Sequence, residues 1–335
     1  MRARWLFVAS LALATTACGS SAPPTAPGPP PVTEPAITCP ASVAVITAST
    51  SAVATFAAPV SSGGTPPTTF ACTATSGATF PVGTTAVQCT HTDAIGRSAV
   101  CNFNITVTFR AFVKYTKFWA FGDSITAGEV STSSFSSIKY LDAVNNYPVV
   151  LRGLLGDRYA QQTITLVNQG VSGERADAGA DRIRASLIAG PVPDVLLLLE
   201  GTNEMLSSDT SLVPTIVPTI SVMIDEAFVR GVKEVMIATF PPVRAGIRGS
   251  LAAPYILSTN SDLKALAAAK VAAGRKVYVI DLYAAMVGQE NTLIGDDGLH
   301  PTVAGYRKIA DTFMTAIRAT YEQASAPTSL SLFKR

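Results

Sequence analysis

Charge is scarce in this chain. Lys, Arg, Asp and Glu together make up 14% of 335 residues, the net charge is +2, and no run of Lys or Arg occurs. The electrostatic footprint of a nucleic-acid binder is therefore absent. Histidine is scarcer: His91 and His300 are the only two. That leaves too few imidazoles for a His-rich zinc site, and neither a metal nor a cofactor is implied. Cysteine stops at Cys101, so the C-terminal two-thirds has none. A Gly-x-Ser-x-Gly elbow occurs nowhere. What the chain has in quantity is apolar material, 48% of residues, enough for a core. The length suits two domains.

The N-terminus reads as an export signal over 1–17. Arg2 and Arg4 precede an apolar run from Trp5 to Ala17, whose 13 residues are short for a bilayer span. The run ends in Thr15-Thr16-Ala17-Cys18-Gly19-Ser20, which resembles a bacterial lipoprotein signal, although Thr15 stands where Leu is usual. The resemblance implies lipidation of Cys18 and membrane contact through that anchor; an ordinary cleaved signal is the alternative. Either way the protein is expected to be exported. Residues 18–35, rich in Pro, Ala, Ser and Thr, read as an extended tether.

Residues 36–110 change character. Short β-branched and aromatic runs, such as Ser42–Ile46, Ala52–Phe56, Thr84–Gln88 and Asn102–Val107, are separated by turn signals at Gly63-Gly64 and Pro66-Pro67. This is the pattern of a small all-β sandwich. Cys39, Cys72, Cys89 and Cys101 form an even set in an exported segment and read as two disulfides. Thr79–Thr85, Asp93–Gly96 and Cys101–Phe103 resemble the hyalin-repeat (HYR) family, which implies an immunoglobulin-like fold. Such a module acts as a spacer or contacts a surface polymer or protein. Three pairings of the cysteines are open; Cys39–Cys101 with Cys72–Cys89 is the expected one. His91, in one of the strands, reads as structural.

From residue 111 to 323, apolar strands alternate with helical segments. Strands are expected at Lys117–Phe121, Thr163–Asn168, Asp194–Leu199, Lys233–Thr239 and Lys276–Asp281. Helices are expected near Tyr147–Leu155, Arg175–Ala189, Val213–Arg230, Leu257–Ala273 and Pro301–Tyr321. The fold class is α/β, a parallel sheet covered on both faces. Residues 324–335 read as a tail. Val130–Asn146, long and Ser-rich, either lines a substrate site or is surface loop. Pro241–Pro254, with Arg244 and Arg248, is open in the same way.

Four segments follow strands, where ligands bind in open parallel sheets. The first is Gly122-Asp123-Ser124, whose Ser124 opens a helix and is a nucleophile or a cap. In Asn168–Glu174, Gly170 offers a backbone N–H or is an ordinary turn residue. Glu200–Glu204 includes Asn203, a neutral amide donor or a cap. Asp297-Gly298-Leu299-His300 brings a base together with an acid that can fix its tautomer, Asp296 being the competing acid.

Together the four segments resemble the SGNH (GDSL-type) hydrolase family, whose blocks supply Ser, Gly, Asn and His in this order. The resemblance spans about Phe118 to Tyr321 and implies a flavodoxin-like sheet of five parallel strands. It implies a serine esterase acting on carboxylic esters, with catalytic Ser124, Asp297 and His300, exported as the N-terminus indicates. The oxyanion hole would come from the N–H groups of Ser124 and Gly170 and the Asn203 side chain. Glu204 departs from the Asp common after that Asn. Asp123 reads as a loop-holding residue. A carbohydrate deacetylase, thioesterase or lysophospholipase on the same fold is the alternative, as is a surface binding protein with an inactive hydrolase domain.

Overall fold

A computed structural model describes residues 33–131 and 140–323. The leader with Cys18, most of the 18–35 tether, part of the 130–146 loop and the 324–335 tail lie outside the described residues. The chain forms two compact units, and the division does not fall at a single residue. Segments 56–76 and 86–104 belong to one, and 77–85 and 105 onward to the other.

The N-terminal region is all β. Four strands pair in the order Val43–Thr47, Ser98–Phe109, Gly83–Thr92, Thr69–Cys72. Two further pairs join Ala36–Thr38 to Val60–Ser62 and Ser51–Val53 to Thr79–Pro81. Along Ser98–Phe109 the buried Phe103, Ile105 and Val107 alternate with more exposed residues, the two-residue period of a half-buried strand. Cys39 joins Cys101, and Cys72 joins Cys89, its register partner across an antiparallel pair. Closing chain separations of 62 and 17 residues restricts the unfolded chain by about 4 and about 3 kcal/mol on the chain-entropy view.

The α/β domain has strands β1 (Lys117–Gly122), β2 (Thr165–Gly170), β3 (Val195–Leu199), β4 (Glu234–Ala238) and β5 (Val277–Ile280). They are parallel throughout and ordered β2-β1-β3-β4-β5, the flavodoxin-like arrangement. Every residue of β3 and β4 is buried, as the continuous apolar run Val195–Leu199 implies for a central strand. The helices are α1 (Ser124–Ala127), α2 (Tyr147–Arg158), α3 (Ala176–Ala189), α4 (Thr202–Met205), α5 (Ile216–Val229), α6 (Ile247–Ala272), α7 (Leu282–Met286), α8 (Glu290–Leu293) and α9 (Val303–Tyr321). Packing of α2 on α9, and of α3 and α6 on α5, makes the two helical layers. Helix α6 starts ten residues before the expected Leu257 and runs through Pro254. The proline gives up one main-chain bond, whereas the first turn is secured from outside, by donation from Arg248 and Gly249 N–H to the Asp297 carbonyl.

Candidate active site

The site forms at the carboxyl ends of β1, β2 and β3 together with the loop before α9. Ser124 stands where β1 becomes α1. The cap of that helix is Asp123: its Oδ1 accepts the Ile125 N–H at 3.0 Å, so the Ser124 hydroxyl is free of capping. Asp123 Oδ2 accepts the Thr202 N–H at 3.1 Å and the Thr202 hydroxyl, tying the end of β1 to the end of β3. Burial pushes the Asp123 carboxyl up, against these hydrogen bonds. A Cβ on Gly122 would lie 1.9 Å from the Leu199 carbonyl oxygen, so only glycine permits this approach of β1 to β3.

Ser124 Oγ is 2.8 Å from His300 Nε2, and His300 Nδ1 is 2.5 Å from Asp297 Oδ2. All three residues are buried. Asp297 Oδ1 also accepts the N–H groups of Leu299 (2.9 Å) and His300 (3.0 Å). Burial pushes the Asp297 carboxyl up, but the His300 contact and these N–H groups outweigh it and hold the group below the usual carboxylate range. Asp296, the competing acid, is paired with Arg244 at 2.5 Å instead. The Pro241–Pro254 segment braces this loop: Arg244 N–H donates to Gly298 O at 3.0 Å, and a Cβ on Gly246 would lie 2.4 Å from the Asp297 carbonyl carbon. Arg248 Nε stands 3.6 Å from Asp297 Oδ2.

The structure corrects the expectation for Gly170. Val171 N–H donates to Gly122 O at 2.9 Å, toward β1. Successive N–H groups of a strand point to opposite sides. The Gly170 N–H therefore faces the free edge of β2, where Asn168 Oδ1 takes it at 2.9 Å. It is not available to an oxyanion. The glycine has a packing reason: a Cβ would lie 2.1 Å from Ala127 N and 2.5 Å from the Thr126 carbonyl carbon. Three residues on, Gly173 has φ +80°. Its N–H has no partner among the described residues. Asn203 Nδ2 donates to Glu174 O at 2.6 Å, which sets the carboxamide beside Gly173 and leaves its second N–H unspent. Glu204 Oε1 accepts the Ala176 N–H at 2.6 Å, so the arm longer than the usual Asp reaches the first residue of α3.

Sequence reasoning also missed Glu129. Its Oε1 lies 3.8 Å from His300 Nε2, and its carbonyl accepts the Tyr306 hydroxyl at 2.5 Å. Its carboxyl group thus lies beside the Ser124–His300 contact. Behind the site, Glu200 is buried, with Oε1 accepting the Gly201 N–H and Oε2 unpartnered among the described residues. Burial, reinforced by the charges of Asp123, Glu174 and Glu204, holds its carboxyl well above the usual range.

A hydroxyl bonded to an imidazole whose other nitrogen meets a carboxylate is the geometry of an activated serine nucleophile. The comparisons with known proteins agree in kind. Residues 31–107 match the HYR domain. No curated protein matches the chain. Among solved structures, a lipase/acylhydrolase from Enterococcus faecalis is 24% identical with a TM-score of 0.50, over 63% of this chain and 99% of its own. Est24, a carbohydrate acetylesterase from Sinorhizobium meliloti, is 17% identical with a TM-score of 0.49, over 60% of this chain and 98% of its own. A family 3 carbohydrate esterase from Clostridium thermocellum is 24% identical with a TM-score of 0.46, over 61% and 98%. At these identities the likeness is one of fold. Residues 120–308, more than half the chain, match the GDSL-like lipase/acylhydrolase family, and the chain belongs to that family, as a carboxylic ester hydrolase.

Proposed function

We propose that this protein is an exported esterase that cleaves carboxylic esters through an acyl-enzyme on Ser124. The observation that carries the reading is the chain of contacts Ser124 Oγ–His300 Nε2–Asp297 Oδ2, at 2.8 and 2.5 Å. Ser124 Oγ attacks the ester carbonyl carbon while its proton passes to His300 Nε2. Asp297, ionised, holds Nδ1–H and stabilises the imidazolium that forms. The tetrahedral oxyanion is met by the N–H groups of Ser124 and Gly173 and the free N–H of the Asn203 carboxamide, a neutral set that binds developing charge without a permanent counterion. His300 returns the proton to the leaving alcohol, and water, deprotonated by the same imidazole, releases the acid and restores Ser124.

The Glu129 carboxylate beside Nε2 favours neutral esters over those with an anionic group next to the carbonyl. Export is supported by the leader and by two disulfides, which persist in oxidising compartments. Anchoring to the cell envelope rests on Cys18 and its sequence surroundings. The β-rich N-terminal domain then serves as a spacer or contacts a surface polymer or protein.

Turnover of a series of p-nitrophenyl esters, from acetate upward, tests the reading. Wild type should hydrolyse neutral esters, and Ser124→Ala should lose at least about 10⁴-fold in kcat, as serine hydrolases do when the nucleophile is removed. Retained activity in the variant would remove Ser124 from the mechanism.

A further inference from the structure

Arg182, on α3, contacts both the turn before its own helix and the end of β1. Its Nε donates to both Glu174 carboxylate oxygens, at 2.7 and 3.0 Å, and Nη2 donates to Oε2 at 2.5 Å. The guanidinium carbon lies 3.8 Å from the centroid of the Phe121 ring, and Nη2 lies 3.4 Å from Gly122 O. Phe121 and Gly122 are the last residues of β1, immediately before Asp123 and Ser124. Glu174 in turn directly follows Gly173, and its own carbonyl accepts the Asn203 carboxamide.

We infer that Arg182 is a positioning residue, which locks the Gly173 N–H and the Asn203 carboxamide in place against Ser124. This rests on the oxyanion hole proposed above. Its planar fork holds Glu174 by its Nε–Nη2 edge while its face rests on Phe121, so the 171–175 turn and the nucleophile strand are registered through one rigid group. Lysine cannot reproduce this, because a point charge neither forks nor stacks. The Glu174 side chain is only 7% exposed. Asp123, Glu174 and Glu204 all act on Glu200 through their charges, and Arg182 opposes them. Without the guanidinium, Glu174 would be an unpaired carboxylate among acids, and the turn bearing both donors would shift to solvate it. A displacement below 1 Å in donors aimed at a transition state is lost as rate rather than as substrate affinity.

The test is a double-mutant cycle of Arg182→Gln with Asn203→Ala, reading kcat, KM and Tm on a neutral ester. Asn203→Ala should lose about 100- to 1,000-fold in kcat. Arg182→Gln should lose about 10- to 100-fold in kcat with KM changed by less than about threefold, and the double variant should fall short of the product of the two losses by at least about tenfold. Arg182→Lys should recover Tm better than kcat. Multiplying losses, or an Arg182→Gln that lowers Tm and leaves kcat, would overturn the inference alone. An unaffected Asn203→Ala would overturn the proposed hole and the inference with it. Should the Arg182 variants fail to fold, Glu174→Gln keeps the shape and removes the charge; it should lose about three- to tenfold in kcat, and an unchanged kcat would overturn the inference.

Discussion

The two arms of the site are built by opposite strategies. The base arm is local: Asp297 and His300 lie three residues apart, and one carboxylate binds both the imidazole and two backbone N–H groups of its own loop. The proposed oxyanion arm is assembled from afar. Ser124, Gly173 and Asn203 follow three different strands, and Asp123, Arg182 and Glu204 reach across to join them. The base arm can therefore be damaged without disturbing the fold, whereas most changes in the oxyanion arm strain packing as well.

Asp297→Asn gives the largest separation of the two. Asn keeps an Oδ1 acceptor for Leu299 and His300 N–H but cannot hold Nδ1–H in the required tautomer. A fall of about 10³- to 10⁴-fold in kcat is expected, with Tm close to wild type. A loss under about tenfold would mean that the base arm works without its carboxylate. Gly170→Ala probes the other arm in reverse. The new methyl would meet Ala127 N at 2.1 Å, an overpacking worth about 1–3 kcal/mol that thermal unfolding should register as a Tm lower by several degrees. An unshifted Tm would deny the packing role. Glu200→Gln is the smallest effect. A carboxyl raised in the folded protein contributes stability that is present below its ordinary pKa and lost as pH rises through its folded value. Glutamine does not titrate, so the variant should gain Tm over wild type progressively from acid toward neutral pH. A difference independent of pH would mean that Glu200 is not held protonated by its surroundings.

The same contrast explains what was legible in the sequence. The five strands and the base arm were readable because their signals are local: apolar runs at Val195–Leu199 and Val235–Ala238, and an Asp three residues before the only His of the domain. The oxyanion arm was legible only as a set of segments. Gly170 and Gly173 stand in one short stretch, and choosing between them depends on which side of β2 each N–H faces, a property of strand pairing with β1. Glu129 and Arg182 were invisible for a related reason, since their partners lie at His300 and at Phe121. The start of α6 was missed because its first turn is secured by the Asp297 carbonyl, some fifty residues away along the chain.

The account stands on the covalent role of Ser124. The most direct measurement is mass spectrometry of the protein after brief reaction with a slowly released acyl ester or a fluorophosphonate. One adduct should form, digestion should map it to the peptide bearing Ser124, and Asp297→Asn should slow its formation while Ser124→Ala abolishes it. Ester turnover with no adduct, or an adduct on another residue, would contradict the account.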